Sequence, residues 1–459
     1  MNKKICLYDK SKIDKNNLIF SNKALVALLV PIIIEQLLNS LMGMTDTIMV
    51  SNVGKEAITA VSLVDSINNL IIMLFSAMAT GGSIICSQYI GSNDKKGANN
   101  AARQVIITVL TISLTIMIFG MIFCKPLLRL VFGKVEDQVM KNCIIYYLVT
   151  AVSYPVLALF NAGAAFFRAG GNSKFPMKVA FISNIVNIIG NSVFIFACGL
   201  GVLGAAISTL VSRIICAAVI FVALRKPKQI IVINNYLAIR PDIKLIKKVL
   251  SVGIPAGVEN SMFQFGKLAI QSTISTLPTE ALAAQAMTNI MENLNGIAGI
   301  AVGIGLMTVV GQCIGAGRKE EAKYYVVKLT GIAELAIIAS CLLVFALAKP
   351  ITIIGGMEPV SASLCMKMIG AITIVKPLVW TLSFVPAYGM RAAGDVRFSM
   401  ITSIITMWCM RVALCVFLVK VVGLGTMAVW YGMFADWTIR GIIFAGRFLS
   451  GKWLKEKMI

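Results

Sequence analysis

Apolar stretches of twenty or more residues, separated by short polar breaks, fill most of this chain. A helix needs about 20 apolar residues to cross a hydrocarbon core about 30 Å thick. Apolar length read against polar punctuation predicts spans at about 24–50, 57–88, 98–124, 138–167, 175–197 and 204–224. A second set follows at about 247–275, 281–312, 321–347, 362–389, 398–420 and 426–449. The polar, basic stretch 1–23 carries no short apolar region with a cleavage site, so the first apolar segment is expected to be a retained span rather than a signal peptide.

The second set repeats the first. A shift of 224 residues lays Pro31 on Pro255, Glu35 on Glu259, Glu56-Ala57 on Glu280-Ala281, Gln88 on Gln312 and Gly91 on Gly315. The same shift lays Lys125-Pro126 on Lys349-Pro350 and Gly199-Leu200-Gly201 on Gly423-Leu424-Gly425, while Phe167–Met177 matches Met390–Met400 at 223. A nearly constant offset over most of both halves marks an internal repeat. Six spans per half bring both halves in from the same side. The expected fold class is therefore all-α integral membrane, with twelve transmembrane helices in two six-helix parallel repeats related by a pseudo-two-fold along the membrane normal. The expected domains are a cytoplasmic N-terminal segment 1–23, an N-lobe 24–224, a cytoplasmic connector 225–246, a C-lobe 247–450 and a cytoplasmic tail 451–459. Two bundles with a cavity between them follow from that plan.

Composition agrees: 58% of residues are hydrophobic and 14% charged, against about a quarter charged in soluble domains. A net charge of +22 would suggest nucleic acid in a soluble protein. Here placement decides. On the twelve-span reading, 29 of the 42 lysines and arginines fall on one side and eight on the other. Positive charge stays inside, so both termini are expected in the cytoplasm of a cell (plasma or inner) membrane, with no nucleic-acid partner. The eleven cysteines are scattered singly through apolar segments without metal-ligand spacing, which suits core packing. Histidine is absent, which removes histidine proton relays, histidine metal sites and Ser-His-Asp chemistry together. No enzyme is expected, and neither a cofactor nor a resident metal.

The loop after the second span reads QYIGSNDKKGANNAAR (88–103), and its repeat mate reads QCIGAGRKEEAKYYVVK (312–328). Physically these are tight cytoplasmic turns. Together with Pro31-x-x-x-Glu35, the run Met44–Val50 and the Arg-Ala-x-Gly segments at Arg168 and Arg391, they make the chain resemble the multidrug and toxic compound extrusion (MATE) family over nearly its whole length. The resemblance implies twelve helices in two lobes, alternating access, and Na⁺- or H⁺-driven antiport that exports mostly cationic, amphipathic compounds.

Asp46 carries the most weight. A carboxylate at membrane depth costs about 2.5–3.5 kcal/mol on insertion scales and usually faces a wet cavity. Its repeat mate is Ile270, so the shared scaffold does not require an acid there. The resemblance makes Asp46 the residue that titrates or holds the coupling cation, with Asn187, Asn191 and Thr209 completing the site and a Na⁺ ion as one possible occupant. Asn191 departs from the family, many of whose members carry Asp there. One carboxylate can bind one proton, so H⁺ coupling gains over Na⁺.

Eleven residues separate Glu35 from Asp46, three turns plus about 20°, which puts both acids on one helix face roughly 16 Å apart. Glu35 and Glu259 each stand four residues after a proline. Each is expected either to bond backbone groups freed by that proline or to line the substrate cavity. Asp65, Asn68 and Asn69, and their mates Asn289, Glu292 and Asn293, form polar helix faces at i, i+3, i+4 spacing. They either line the cavity or bond neighbouring helices. Asp65, Asn69, Gln285 and Glu292 are placed in the substrate cavity with Glu35 and Glu259. The C-terminal half adds cations at depth: Lys267, Lys376 and Arg411. Lys267 and Arg411 are expected either to neutralise Glu259 or Glu292, or to receive an anionic part of the substrate. Asp436 and Arg440, at i, i+4, suit a structural salt bridge.

Gly199–Gly204 fits G-x-G-x-x-G, but no strand precedes it, and no G-x-x-x-x-G-K-[ST] string occurs, so no ATPase subunit is implied. The partners expected are a small-molecule substrate and the lipid bilayer, for a monomer. The alternative within the same superfamily is a flippase or exporter of an anionic or lipid-linked metabolite.

Overall fold

The computed structural model describes residues 7–14, 16–133, 135–234, 240–454 and 458–459. Of the charges used above for topology, Lys3, Lys4, Lys15, Lys134, Lys455 and Lys457 lie outside these residues, as do 235–239 of the expected connector.

The helices follow the apolar stretches. In the first half they are α1 (Asn22–Ser51), α2 (Lys55–Gly91), α3 (Lys95–Ile122), a short α4 (Cys124–Phe132), α5 (Asp137–Val152), α6 (Tyr154–Ala169), α7 (Lys174–Asn191) and α8 (Gly201–Leu224). The second half contributes α9 (Ile243–Ile274), α10 (Thr279–Gly315), α11 (Lys319–Ile354), α12 (Pro359–Ala392), α13 (Val396–Thr406), α14 (Leu414–Phe417) and α15 (Met427–Leu449). Among the described residues nine helical segments are long and apolar enough to cross a membrane, and the α5–α6 pair, bent by 45°, makes a tenth. The more charged α9 and α15, of 32 and 23 residues, are long enough to bring the number to twelve.

The fourth span, expected over about 138–167, is two helices that break at Ser153. Pro155 at the start of α6 has no N–H to continue the ladder. The fifth and eleventh spans end differently from ordinary helices: π turns occupy Ser192–Ala197, Met407–Ala413 and Leu418–Val422.

The paired loops are tight turns, as their composition requires. After α2, Asn93 takes φ 61°, and the Asp94 carboxylate caps α3 by accepting from the Gly97 N–H at 2.8 Å. In the matching loop Gly317, at φ 77°, makes the turn before α11.

The chain divides into two compact units, Asn22–Gly257 and a second comprising Val258–Met458 with the N-terminal segment up to Ser21. The division falls inside α9 rather than at 247. The reason is a glycine contact: a Cβ on Gly81 of α2 would stand 2.9 Å from the Gly253 nitrogen, so the two backbones meet where neither carries a side chain. In the first unit α2 packs on α3, α5 and α6, and α7 packs on α1 and α8. In the second unit α10 packs on α11 and α12, and α12 on α15. The N-terminal segment joins the second unit through hydrogen bonds, the Ile19 N–H to Glu321 at 2.7 Å and the Phe20 N–H to the Tyr325 hydroxyl at 3.0 Å. The same hydroxyl donates back to the Phe20 carbonyl at 2.6 Å.

Candidate functional site

In the first unit, Asp46 lies half-buried near the end of α1. Asn191 of α7 donates from Nδ2 to its Oδ1 at 2.6 Å, and from the same nitrogen to the Asn187 Oδ1 at 3.3 Å. Asn187 and Asn191 are buried, one helical turn apart, so both amides face the same acid. Two of their atoms, Asn187 Nδ2 and Asn191 Oδ1, are buried with no hydrogen-bond partner. Unmet polar atoms beside a carboxylate give a small ligand something to bind. Thr209 is buried on α8 next to Ser208, whose hydroxyl donates to the Asn187 carbonyl at 2.8 Å. The bonds that tie the cluster together run through Ser208, not through the Thr209 hydroxyl.

A second polar group continues along the same unit. Asp65 accepts from Asn68 at 3.1 Å and from the Tyr146 hydroxyl at 3.3 Å, and Tyr154 donates to Asn68 at 2.8 Å. Asn69, next in sequence, is exposed. Arg213 of α8 enters this group without having been singled out in the sequence. It donates to Ser153 at 2.5 Å, at the break between α5 and α6, and lies within electrostatic range of both Asp46 and Asp65. A lone arginine inside an apolar span was the available signal.

Glu35 and Glu259 have partners other than those expected. Glu35 accepts from Arg168 at 2.8 Å, and Glu259 from Arg391 at 2.6 Å. The bonded groups are the arginines of the two Arg-Ala-x-Gly segments, not the proline-freed backbone. These repeat-mate acids and arginines form one clamp per unit, both glutamates being buried. A buried carboxylate needs such a partner.

The second unit also pairs its charges in a way the sequence left open. Glu292 takes Lys376 at 2.7 Å, and Asp436 takes both Arg411 at 2.9 Å and Arg440 at 2.6 Å. The Asp436–Arg440 bridge is the one its spacing predicts. The expectation that Lys267 and Arg411 neutralise Glu259 or Glu292 does not hold at bonding distance. Lys267 acts on Glu292 only at longer range. The π turn at Met407–Ala413 carries Arg411, which bonds across to α15. Gln285 donates to Asn289 at 3.0 Å and accepts from the Trp430 indole at 3.1 Å, which occupies it within its own unit.

The family pattern described as MatE matches residues 31–193 and again 255–417, once on each half of the repeat. An uncharacterized transporter YisQ of Bacillus subtilis (strain 168) is 28% identical over 450 residues, covering 95% of this chain and 96% of that protein. A probable multidrug resistance protein NorM of Thermotoga maritima is 24% identical, covering 95% of this chain and 94% of its own. The fold matches that of a solved multidrug resistance MATE transporter in its outward-facing conformation, with a TM-score of 0.87 at 22% identity over 94% of this chain and 96% of that one. Matches that fall on both halves and span nearly the full length of their relatives leave one assignment. The chain is a multi-pass membrane protein of the MatE family, the multidrug and toxic compound extrusion proteins, which are transporters rather than enzymes.

Proposed function

We propose that the protein is an H⁺-coupled antiporter that exports small amphipathic organic compounds by alternating access, with Asp46 as the coupling group. The observation that carries this reading is the Asp46–Asn191–Asn187 cluster, a single carboxylate bonded at 2.6 Å beside two amide atoms that have no partner. Na⁺ is the weaker candidate here. Asn191 stands where a second acid would add charge, and Arg213 already brings a fixed positive charge within range of Asp46. Such a site lacks the negative charge that offsets dehydration of a metal cation, whereas a proton needs one carboxylate oxygen. Asp65, half-buried and held by Asn68 and Tyr146, suits a cationic group of the cargo through its charge. A ligand biases two states only by its differential affinity for them. Protonation of Asp46 supplies that difference on this reading, releasing cargo outside as protons enter. The protein works as a monomer in the cell membrane, with both termini cytoplasmic and no ATPase subunit.

The test is efflux of ethidium from loaded proteoliposomes under an imposed H⁺ or Na⁺ gradient. Efflux driven by a proton gradient alone is the expected result. Efflux driven by Na⁺ at uniform pH would reject proton coupling, and no gradient-driven movement of any amphipathic dye would reject export of this class.

A further inference from the structure

The second unit reverses the polarity of the first at the matching place. The 224-residue offset lays Asp46 on Ile270, Asn187 on Arg411 and Asn191 on Cys415, and it lays Asn68 on Glu292. Where the first half gathers amides around an acid, the second places an arginine and an apolar residue.

Four cations meet there. The Arg411 and Arg440 guanidinium groups stand 5.6 and 4.8 Å from the centroid of the Phe263 ring, and Lys267 follows Phe263 by one turn on the same face of α9. Lys376 completes the set, 5.3 Å from the Trp380 ring, and Trp380 stacks on Phe384 at 4.8 Å. Among the described residues two acids lie within ion-pair distance of them: Asp436 is shared by both arginines, and Glu292 is taken by Lys376. Glu259 is ion-paired with Arg391 and acts on Arg440 only at longer range. Two positive charges are left over.

The leftover charge is in reach of a ligand. Lys267 is exposed, and no acid among the described residues stands within ion-pair distance of it, although Glu292 and Arg411 lie within electrostatic range. Arg411 is buried, and its Nε has no hydrogen-bond partner. Uncompensated cations inside membrane spans are costly and mark functional positions. An ammonium beside an aromatic wall fits a planar molecule with a negative end: the charge forms a charge-assisted hydrogen bond and the rings stack on the body.

We propose that this cluster is a binding subsite for an aromatic carboxylate, with Lys267 making the direct ion pair and Arg411 sustaining the positive potential behind it. Its role rests on the export reading above: the carboxylate belongs to an exported compound, as a free anion or as the acidic end of a zwitterion.

The test uses the purified full chain in lipid nanodiscs and carboxyfluorescein as the probe, followed by fluorescence anisotropy. Saturable binding to wild type, weakened at least tenfold in Lys267→Gln and recovered in Lys267→Arg, is the expected result. Thermal unfolding of both variants is measured alongside, so that misfolding is not taken for lost binding. Equal affinity in wild type and folded Lys267→Gln overturns the proposal, and so does the absence of saturable binding in a wild type that exports ethidium. Carboxyfluorescein binding in a wild type that moves no ethidium keeps the subsite and removes the cationic cargo instead.

Discussion

The pair formed by the buried Lys376 and the half-buried Glu292 offers the sharpest test of how the second unit holds together. Lys376 is fully buried and bonds both the Glu292 carboxylate at 2.7 Å and the Glu292 carbonyl at 3.0 Å. Lys376→Met keeps the volume and removes the charge, leaving the half-buried Glu292 without its partner. Breaking such a pair from one side costs about 3–5 kcal/mol. For a unit of this size that corresponds to a fall in Tm of roughly 10 °C. The repeat supplies the rescue. In the first unit Asn68, which the 224-residue offset lays on Glu292, is bonded at 2.8 Å by Tyr154, which precedes Pro155 as Lys376 precedes Pro377, and that hydrogen bond is neutral. Glu292→Asn with Lys376→Tyr installs that pair, leaves no buried charge, and is expected to recover all but about 1–2 kcal/mol. The assay is thermal unfolding in detergent followed by tryptophan emission, to which Trp380 beside Lys376 contributes. A Lys376→Met protein as stable as wild type would mean that the pair does not hold the unit together, and so would a double variant no more stable than the single one.

Two other features carry predictions of their own. Tyr325→Phe removes the hydroxyl that both accepts from the Phe20 N–H and donates to its carbonyl. Undocking the segment ahead of α1 should cost about 1–2 kcal/mol and speed tryptic cleavage at Lys10 and Lys12; unchanged cleavage would mean that the docking does not depend on this residue. Gly81→Val places branched atoms against the Gly253 backbone, where even a Cβ stands 2.9 Å away. Overpacking of this kind should cost about 1–3 kcal/mol in thermal unfolding, while the same change at Gly331, which has open space around it, should be nearly neutral.

The spans were legible because apolar length and the offset of 224 are properties of sequence alone. The break at Ser153 was not read, although Pro155 signals it: a hydrophobic stretch hides a bend when its length still suits one span. The π turns leave no mark in hydrophobic periodicity. Charge partners were the least legible feature. Arg168 and Arg391 were recognised as repeat mates and counted as cytoplasmic charges, yet their carboxylates lie 133 and 132 residues away in sequence. Lys376 reads as a solitary cation for the same reason, and so does Arg213, whose neighbours Asp46 and Asp65 sit on other helices. The meeting of Asp46 with Asn187 and Asn191 was expected from the family resemblance. One acid facing two amides a turn apart is the part that local spacing alone supports.

On the proposed function Asp46 couples cargo to the ion rather than holding the fold, and Asp46→Asn separates these two roles. Equilibrium exchange of ethidium and uphill efflux driven by a proton gradient are measured on the same proteoliposomes. Asp46→Asn is expected still to exchange ethidium across the membrane at equal concentrations but no longer to move it uphill. Uphill efflux that survives in Asp46→Asn at the wild-type rate would contradict that coupling role.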